Sequence, residues 1–260
     1  MKLFIVALDE PIYYYPFFKT LFESYAEKIS GFAILTYTPK WQKDGLIFKR
    51  ILRAGILGLL VYGLKNLFKR IGITAGLALG LLDKKRYSVI GLAESFNIAT
   101  EIINDVNHPD FVNRIKAEKI DVLIFQGYQK LGPAILEAPA WGCLNRHSGP
   151  LPKYRGSFAI FWGMYFQESQ FGVSVHKMTE KFDEGRLLTQ KVVSRKRNDT
   201  IATLYDKTNQ LGANALVEAL GQIENQREAD LPNEPGAGSI FRTPSLKNLV
   251  SYCLGRRRSK

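Results

Sequence analysis

The chain has 260 residues, 46% of them apolar, enough for one large globular domain with an appendage. Its formal charge of +12 is unevenly placed: residues 45–73 hold Lys49, Arg50, Arg53, Lys65, Lys69 and Arg70 with no acid, and residues 247–260 hold Lys247, Arg256, Arg257, Arg258 and Lys260 with none, so the remainder is nearly balanced and a nucleic-acid partner is not expected. Two cysteines, Cys143 and Cys253, rule out a disulfide framework and fit a reducing compartment, with the cytoplasm as the expected location; Leu3 to Leu8 is too short an apolar run for a signal-peptide core.

Leu3 to Leu8 reads instead as a first strand, and Pro16 to Lys28 has the apolar spacing of an amphipathic helix, with Phe18, Leu21, Phe22 and Tyr25 on one side. Gly31 to Thr38 reads as a second strand. This strand–helix–strand opening predicts an α/β fold, a Rossmann-like, doubly wound and mainly parallel twisted sheet with flanking helices. Asp9-Glu10-Pro11 stands where a glycine-rich phosphate loop would follow the first strand, which argues against a dinucleotide site there and suits Asp9 and Glu10 to hydroxyls or an amine.

Residues 45–82 form a basic, apolar insertion of expected helical structure. Its uncharged centre, Ala54 to Leu64, would span roughly 16 Å as a helix against a bilayer core of about 30 Å, so it cannot cross a membrane. Two readings stay open. Either the insertion packs on the domain, or residues 45–73 lie peripherally on an anionic membrane surface, form a lid or make a homodimer contact.

Tyr87 to Phe96 has a helical pattern, Ile98 to Ile102 reads as a short strand and Pro109 to Ala117 as a helix. Asp121 to Phe125 is a clear strand ending in Gln126-Gly127-Tyr128, the end at which open α/β sheets bind ligands. Gly142 to His147 is a strand cut off by Pro150 and Pro152. Ser157 to Phe166 reads as a helix, Gly172 to Met178 as an alternating strand carrying His176, and Arg186 to Val193 as a further strand. Thr200 to Glu224 reads as a helix capped by Asp199, with Leu204, Leu211, Leu216 and Leu220 on its apolar side. The proline- and glycine-rich Leu231 to Gly238 reads as a linker between a catalytic domain, residues 1–230, and a short C-terminal basic tail, residues 231–260.

The chemistry gathers in Gly142 to Gly156. Residues two apart in a strand share a face, so Asn145 and His147 present a neutral donor and an imidazole side by side, a pair suited to holding an oxyanion. A lone buried histidine is more often a hydrogen-bonded core residue than a catalyst. A third element, Lys181-Phe182-Asp183-Glu184-Gly185, adds a carboxylate placed to orient or charge His147.

With these three elements the chain resembles the folate-dependent formyltransferases, whose signature is Asn-x-His, a Leu-Pro-x-Tyr-Arg-Gly-like loop and a later Asp-x-Gly loop. Here these are Asn145-Arg146-His147, Leu151 to Gly156 and Asp183-Glu184-Gly185, with His147 and Asp183 separated by 36 positions. The resemblance is strong from about Asp121 to Val193 and holds only in outline before that; Gly149-Pro150 replaces the usual Ser-Leu. It implies the formyltransferase fold and a formyl group carried from 10-formyltetrahydrofolate to a primary amine of a small acceptor, with Asn145, His147 and Asp183 as the catalytic residues. It further implies that Tyr128, Leu131, Phe182 and Gly185 meet the folate and that Tyr154 and Arg155 meet the acceptor; for Tyr128 and Leu131, ordinary core packing is an equal alternative. No metal is expected, since His108, His147 and His176 show no zinc-type spacing.

In the reaction so implied, His147 kept protonated by Asp183 donates to the developing oxyanion, Asn145 adds a second hydrogen bond, and Asp183 orders a water that relays the amine proton. The carboxylate is expected to lift the imidazole above its ordinary pKa of about 6.5. The expected acceptor is an amino sugar on a nucleotide carrier: Asp9 and Glu10 would repel the phosphate of glycinamide ribonucleotide, and the tail is too short for the C-terminal barrel of methionyl-tRNA formyltransferases. A formyltetrahydrofolate hydrolase (deformylase), a methionyl-tRNA formyltransferase-like enzyme and a non-catalytic protein of the same shape are the rival readings.

Overall fold

The computed structural model describes residues 1–8, 11–37, 71–72, 75–76, 79 and 88–254. The expectations for Asp9 and Glu10, for nearly all of residues 45–82 and for the basic residues 256–260 lie outside the described residues.

In chain order the elements are β1 (Leu3–Ala7), α1 (Pro11–Tyr25), β2 (Ile29–Leu35), α2 (Val89–Ser95), β3 (Thr100–Ile103), α3 (Pro109–Ala117), β4 (Val122–Gln126), α4 (Pro133–Leu136), β5 (Gly142–His147), β6 (Arg155–Gly156), α5 (Ala159–Tyr165), β7 (Gln170–Lys177), β8 (Leu187–Ser194), α6 (Ile201–Glu224), β9 (Ile240–Phe241) and α7 (Leu246–Cys253), with a 3₁₀ turn, Ala26–Lys28, after α1. Seven strands form one sheet in the order β3-β2-β1-β4-β5-β7-β8, the first five mutually parallel and β7 antiparallel to both of its neighbours, β5 and β8. This is the mainly parallel α/β sheet that the sequence predicts.

Every residue of β1 is buried, without the alternation of a half-exposed strand, because helices cover both faces of the sheet there. Leu3, Ile5 and Ala7 enter a core shared with α1, α2 and α6, while Phe4 and Val6 enter a second core shared with α3 and α4. On that second face α4 is a single turn, so among the described residues no long helix lies over the carboxyl end of β5 beyond it.

Several element ends differ from expectation for physical reasons. α1 begins at Pro11, and Pro16 lies inside it. An internal proline costs about 3 kcal/mol, but Phe17, Phe18, Leu21 and Phe22 are each no more than 1% exposed, and about 1.5–3 kcal/mol for each such side chain outweighs it. α6 is capped by Thr200 and not by Asp199. Thr203 N donates to the Thr200 hydroxyl at 3.2 Å while Thr200 N donates to Thr203 Oγ1 at 2.9 Å, and Asp199 is taken by Lys207 and by Lys196 N. α5 begins at Ala159 because Phe158 takes a left-handed φ of 61°. The segment read as linker and tail is folded onto the body as far as it is described. Leu231 bridges to Leu187, β9 pairs with β6, and Phe241, Leu249 and Tyr252 join a cluster with Tyr154, Phe161, Trp162 and Tyr165. Among the described residues, no helix is long and apolar enough to cross a membrane.

Candidate active site

Alternation along β5 sets the geometry. Cys143 packs into the α3–α4 core and Leu144 into the α1–α6 core, so Asn145 and His147 share the α4 side while Arg146 faces α1 and α6, its guanidinium 4.9 Å from the Phe17 ring. Asp183, in the loop after β7, arrives at the same place with a left-handed φ of 56°. Its Oδ2 accepts from Gly156 N at 2.6 Å and lies 3.6 Å from His147 Nδ1, and its Oδ1 lies 3.4 Å from His176 Nε2. The other ring nitrogens meet backbone: His147 Nε2 donates to the Tyr154 carbonyl at 2.8 Å and His176 Nδ1 to that of Lys177 at 2.9 Å. Gln126 Nε2 donates to the Phe125 carbonyl at 2.9 Å and to Asn145 Oδ1 at 3.0 Å, and Asn145 Nδ2 lies 3.3 Å from His176 Nε2.

The electrostatics correct one expectation. Burial drives the His147 pKa below its ordinary value, Asp183 pulls it the other way, and His176 and Arg146 add to the lowering. Desolvating the imidazolium outweighs the attraction of a carboxylate 3.6 Å away, so the anticipated lift is reversed. For Asp183, burial works upward. The charge at His147, the neighbouring His176 ring and the Gly156 N–H together overcome it and hold the carboxyl well below the usual carboxylate range. Asp183 is the group that stays ionised, and His147 gives up a proton easily.

The loop after β5 buries His147. Leu151 N donates to Ser174 Oγ at 2.9 Å, and that hydroxyl donates to the Gly149 carbonyl at 2.8 Å. A Cβ on Gly149 would stand 2.8 Å from His147 Nε2, so the glycine that departs from the family pattern is what lets the loop close over the ring. Tyr154 and Arg155, expected at the acceptor, are turned into the framework. The Tyr154 hydroxyl donates to Glu168 at 2.6 Å, and the Arg155 guanidinium, 1% exposed, pairs with Glu184 at 3.2 Å and donates to Asn233 Oδ1 and the Glu234 carbonyl. Of the residues expected at the folate, Leu131 is buried in the α3–α4 core, and a Cβ on Gly185 would meet the Lys177 carbonyl at 1.8 Å, so both serve packing. Tyr128 and Phe182 stand exposed on the loops after β4 and β7.

Three residues were missing from the sequence-derived set. Gln126 and His176 hold Asn145 from the neighbouring strands. Asn233 Nδ2 donates to the carbonyls of Asp183 at 3.1 Å and Gly185 at 2.7 Å, tying the Asp183 loop to Arg155. A cleft of about 400 Å³ opens beside the same loop between Leu136, Trp141, Lys177, Met178 and Thr179, but its lining includes none of Asn145, His147 and Asp183. Among the described residues, no group of histidine, cysteine and carboxylate side chains is arranged to hold a metal ion.

A mainly parallel sheet with a polar cluster at the carboxyl end of β5 matches a known family. Residues 74–220, more than half of the chain, match the family described as Formyl transferase, and the chain belongs to that family. The methionyl-tRNA formyltransferase of Halothermothrix orenii is 30% identical over 173 residues, 63% of this chain and 55% of that relative. The chain thus spans about half the length of the relative it matches. Among solved structures, phosphoribosylglycinamide formyltransferase from Anaplasma phagocytophilum has a TM-score of 0.60 at 13% identity, covering 93% of this chain and 99% of that one. The N-formyltransferase from Helicobacter canadensis, in complex with folinic acid and dTDP-3-aminofucose, has a TM-score of 0.58 at 14% identity, covering 93% and 70%. At these identities the likeness is one of fold.

Proposed function

We propose that this chain transfers a formyl group from 10-formyltetrahydrofolate to a primary amine of a small acceptor, with Asn145, His147 and Asp183 as its catalytic residues. The observation that carries the reading is the convergence of these three side chains at the carboxyl end of β5, inside the stretch matched by the family. The folate donor supplies the activated formyl carbon and a nitrogen leaving group.

Asn145 commits one amide hydrogen to His176, and the other, which has no partner among the described residues, hydrogen-bonds the formyl oxygen as it gains charge. His147, with a lowered proton affinity and an ionised carboxylate beside it, accepts the proton that the attacking amine must lose and returns it to the departing folate nitrogen. No net proton is gained or lost: the amine's hydrogen ends on the folate nitrogen. Gly149 and the loop around it keep water from the ring. Tyr128 and Phe182, exposed on the two loops flanking the site, are assigned to the faces of the folate ring.

For the acceptor we favour an amino sugar on a nucleotide carrier. The reading draws support from solved structures of similar fold whose ligands include dTDP and dTDP-3-aminofucose. The methionyl-tRNA formyltransferases among the relatives favour a second reading, formylation of methionyl-tRNA. A panel assay separates them. With 10-formyltetrahydrofolate as donor, the expected formylated product appears on a nucleotide-linked amino sugar and not on methionyl-tRNA or glycinamide ribonucleotide. Efficient product on methionyl-tRNA would replace the acceptor, and formate release unaffected by any amine would replace the transferase by a hydrolase.

A further inference from the structure

We propose that Gln126 is a positioning residue that decides which histidine of the site carries the proton: it fixes Asn145 so that His176 serves only as an acceptor, and the proton shared with Asp183 goes to His147. This deepens the function proposed above, and only its kinetic consequence rests on that reading.

Two backbone carbonyls fix the donors and acceptors of the network from its two ends. A backbone carbonyl only accepts, so the Gln126 atom 2.9 Å from the Phe125 carbonyl is the amide nitrogen. That same nitrogen meets Asn145 at 3.0 Å, which must therefore present its oxygen. The amide nitrogen of Asn145 is then the atom 3.3 Å from His176 Nε2, and an N–H pointing there requires a lone pair on the ring. The far end agrees independently: His176 Nδ1 faces the Lys177 carbonyl at 2.9 Å and so carries the hydrogen. His176 is thus the neutral Nδ1–H tautomer.

The Tyr154 carbonyl likewise puts a hydrogen on His147 Nε2. Asp183 now faces two nitrogens, His147 Nδ1 at 3.6 Å and His176 Nε2 at 3.4 Å, both longer than the roughly 2.7–2.9 Å of a charge-assisted N–H donor to a carboxylate. The cluster has room for one more proton. Placed on His176 it would collide with the Asn145 amide; placed on His147 Nδ1 it meets only Asp183. Among the described residues, the charged group facing both rings is Asp183, from the loop after β7; Arg146, on the opposite face of β5, reaches His147 only through its charge. Lys177 directs its ammonium over the Trp141 ring instead.

The chain has three histidines, so nitrogen-15 NMR of the full, histidine-labelled protein resolves each ring, with the exposed His108 as reference. Titration carried below the ordinary histidine value of about 6.5 should show His147 gaining a proton at Nδ1 while His176 keeps the Nδ1–H tautomer. Gln126→Glu should reverse the order. Its carboxylate cannot donate, Asn145 turns its N–H toward it, the Asn145 oxygen then faces His176, and His176 protonates first. Formyl transfer should fall at least tenfold, short of the roughly 100- to 1,000-fold that deleting an oxyanion donor costs. Gln126→Leu, which removes the clamp without reversing it, should leave His176 in mixed tautomers with a smaller loss. Protonation of His176 ahead of His147 in the unaltered chain, or an unchanged order and unmixed tautomers in the variants, would overturn the proposal. The expected NMR order in a chain that transfers no formyl group would count against the proposed function and leave this assignment standing.

Discussion

The two faces of β5 hold polar side chains by opposite means, one residue apart. On the α4 side, Asn145 and His147 are tied to Gln126, His176, Asp183 and the Tyr154 carbonyl, and every proton in that network has a direction. On the α1–α6 side, the Arg146 guanidinium sits over the Phe17 ring, donates to Ser148 and Asn209, leaves its Nε without a partner and has no carboxylate within ion-pair distance among the described residues. Gly212 makes room for it, since a Cβ there would come within 2.9 Å of Arg146 Cδ. Burial lowers the Arg146 pKa. One face is built to move a proton, the other to store a fixed charge. A polar side chain in a strand therefore says little about chemistry until its partners are known.

The sharpest way to break this comparison is to truncate each face in turn. Asn145→Ala and His147→Ala should each slow transfer by roughly 100- to 1,000-fold while leaving a cooperative thermal transition, read from steady-state rates beside calorimetry. Arg146→Met should do the reverse. It strands the Asn209 oxygen, at a cost of about 1–3 kcal/mol, and lowers the denaturation midpoint while kcat falls far less than in the Asn145 and His147 variants. Equal kinetic losses on both faces would erase the distinction.

Asn233 offers a smaller test, because it acts on the site only through the Asp183 loop. Asn233→Ala should lower kcat more than it raises KM, by less than the Asn145 or His147 variants do. Asn233→Asp, which keeps the shape but cannot donate to the two carbonyls, should behave alike; full activity in the aspartate variant would remove this residue from the account.

The smallest expected effect is on stability against pH. The folded His147 binds its proton less tightly than the unfolded one, whose pKa is about 6.5. As pH falls through that value the unfolded chain takes up a proton that the folded chain refuses, so stability is full above it and declines below. Thermal melts at neutral and mildly acid pH should show this decline, and His147→Gln should blunt it. An identical decline in both proteins would place its origin elsewhere.

How much was legible in the sequence follows from distance along the chain. Asn145 and His147 were visible because strand periodicity needs only neighbours, and Asp183 because it stands in a carboxylate-to-glycine loop linked to them by a family spacing. That Gln126 and His176 hold Asn145 was hidden, since they reach it through pairing registers, β4 beside β5 and His176 directly opposite Asn145. Asn233 acts across 50 positions of chain and has no local signature. The direction of the His147 shift was misjudged because it depends on how deeply the loop with Gly149 buries the ring. Tyr154 and Arg155 show the limit of a motif: spacing names the loop but does not tell a residue that meets a ligand from one that braces the backbone.

The central claim is that an ionised Asp183 beside His147 carries the formyl transfer. Asp183→Asn keeps the side chain's size and an oxygen for the Gly156 N–H while removing the charge. Single-turnover transfer from bound 10-formyltetrahydrofolate, followed by the appearance of tetrahydrofolate in the presence of a primary-amine acceptor, measures the consequence directly. This variant is expected to bind the folate as the unaltered chain does and to yield tetrahydrofolate at a rate lower by roughly 100-fold or more; transfer at the unaltered rate would contradict the role of the Asp183 charge.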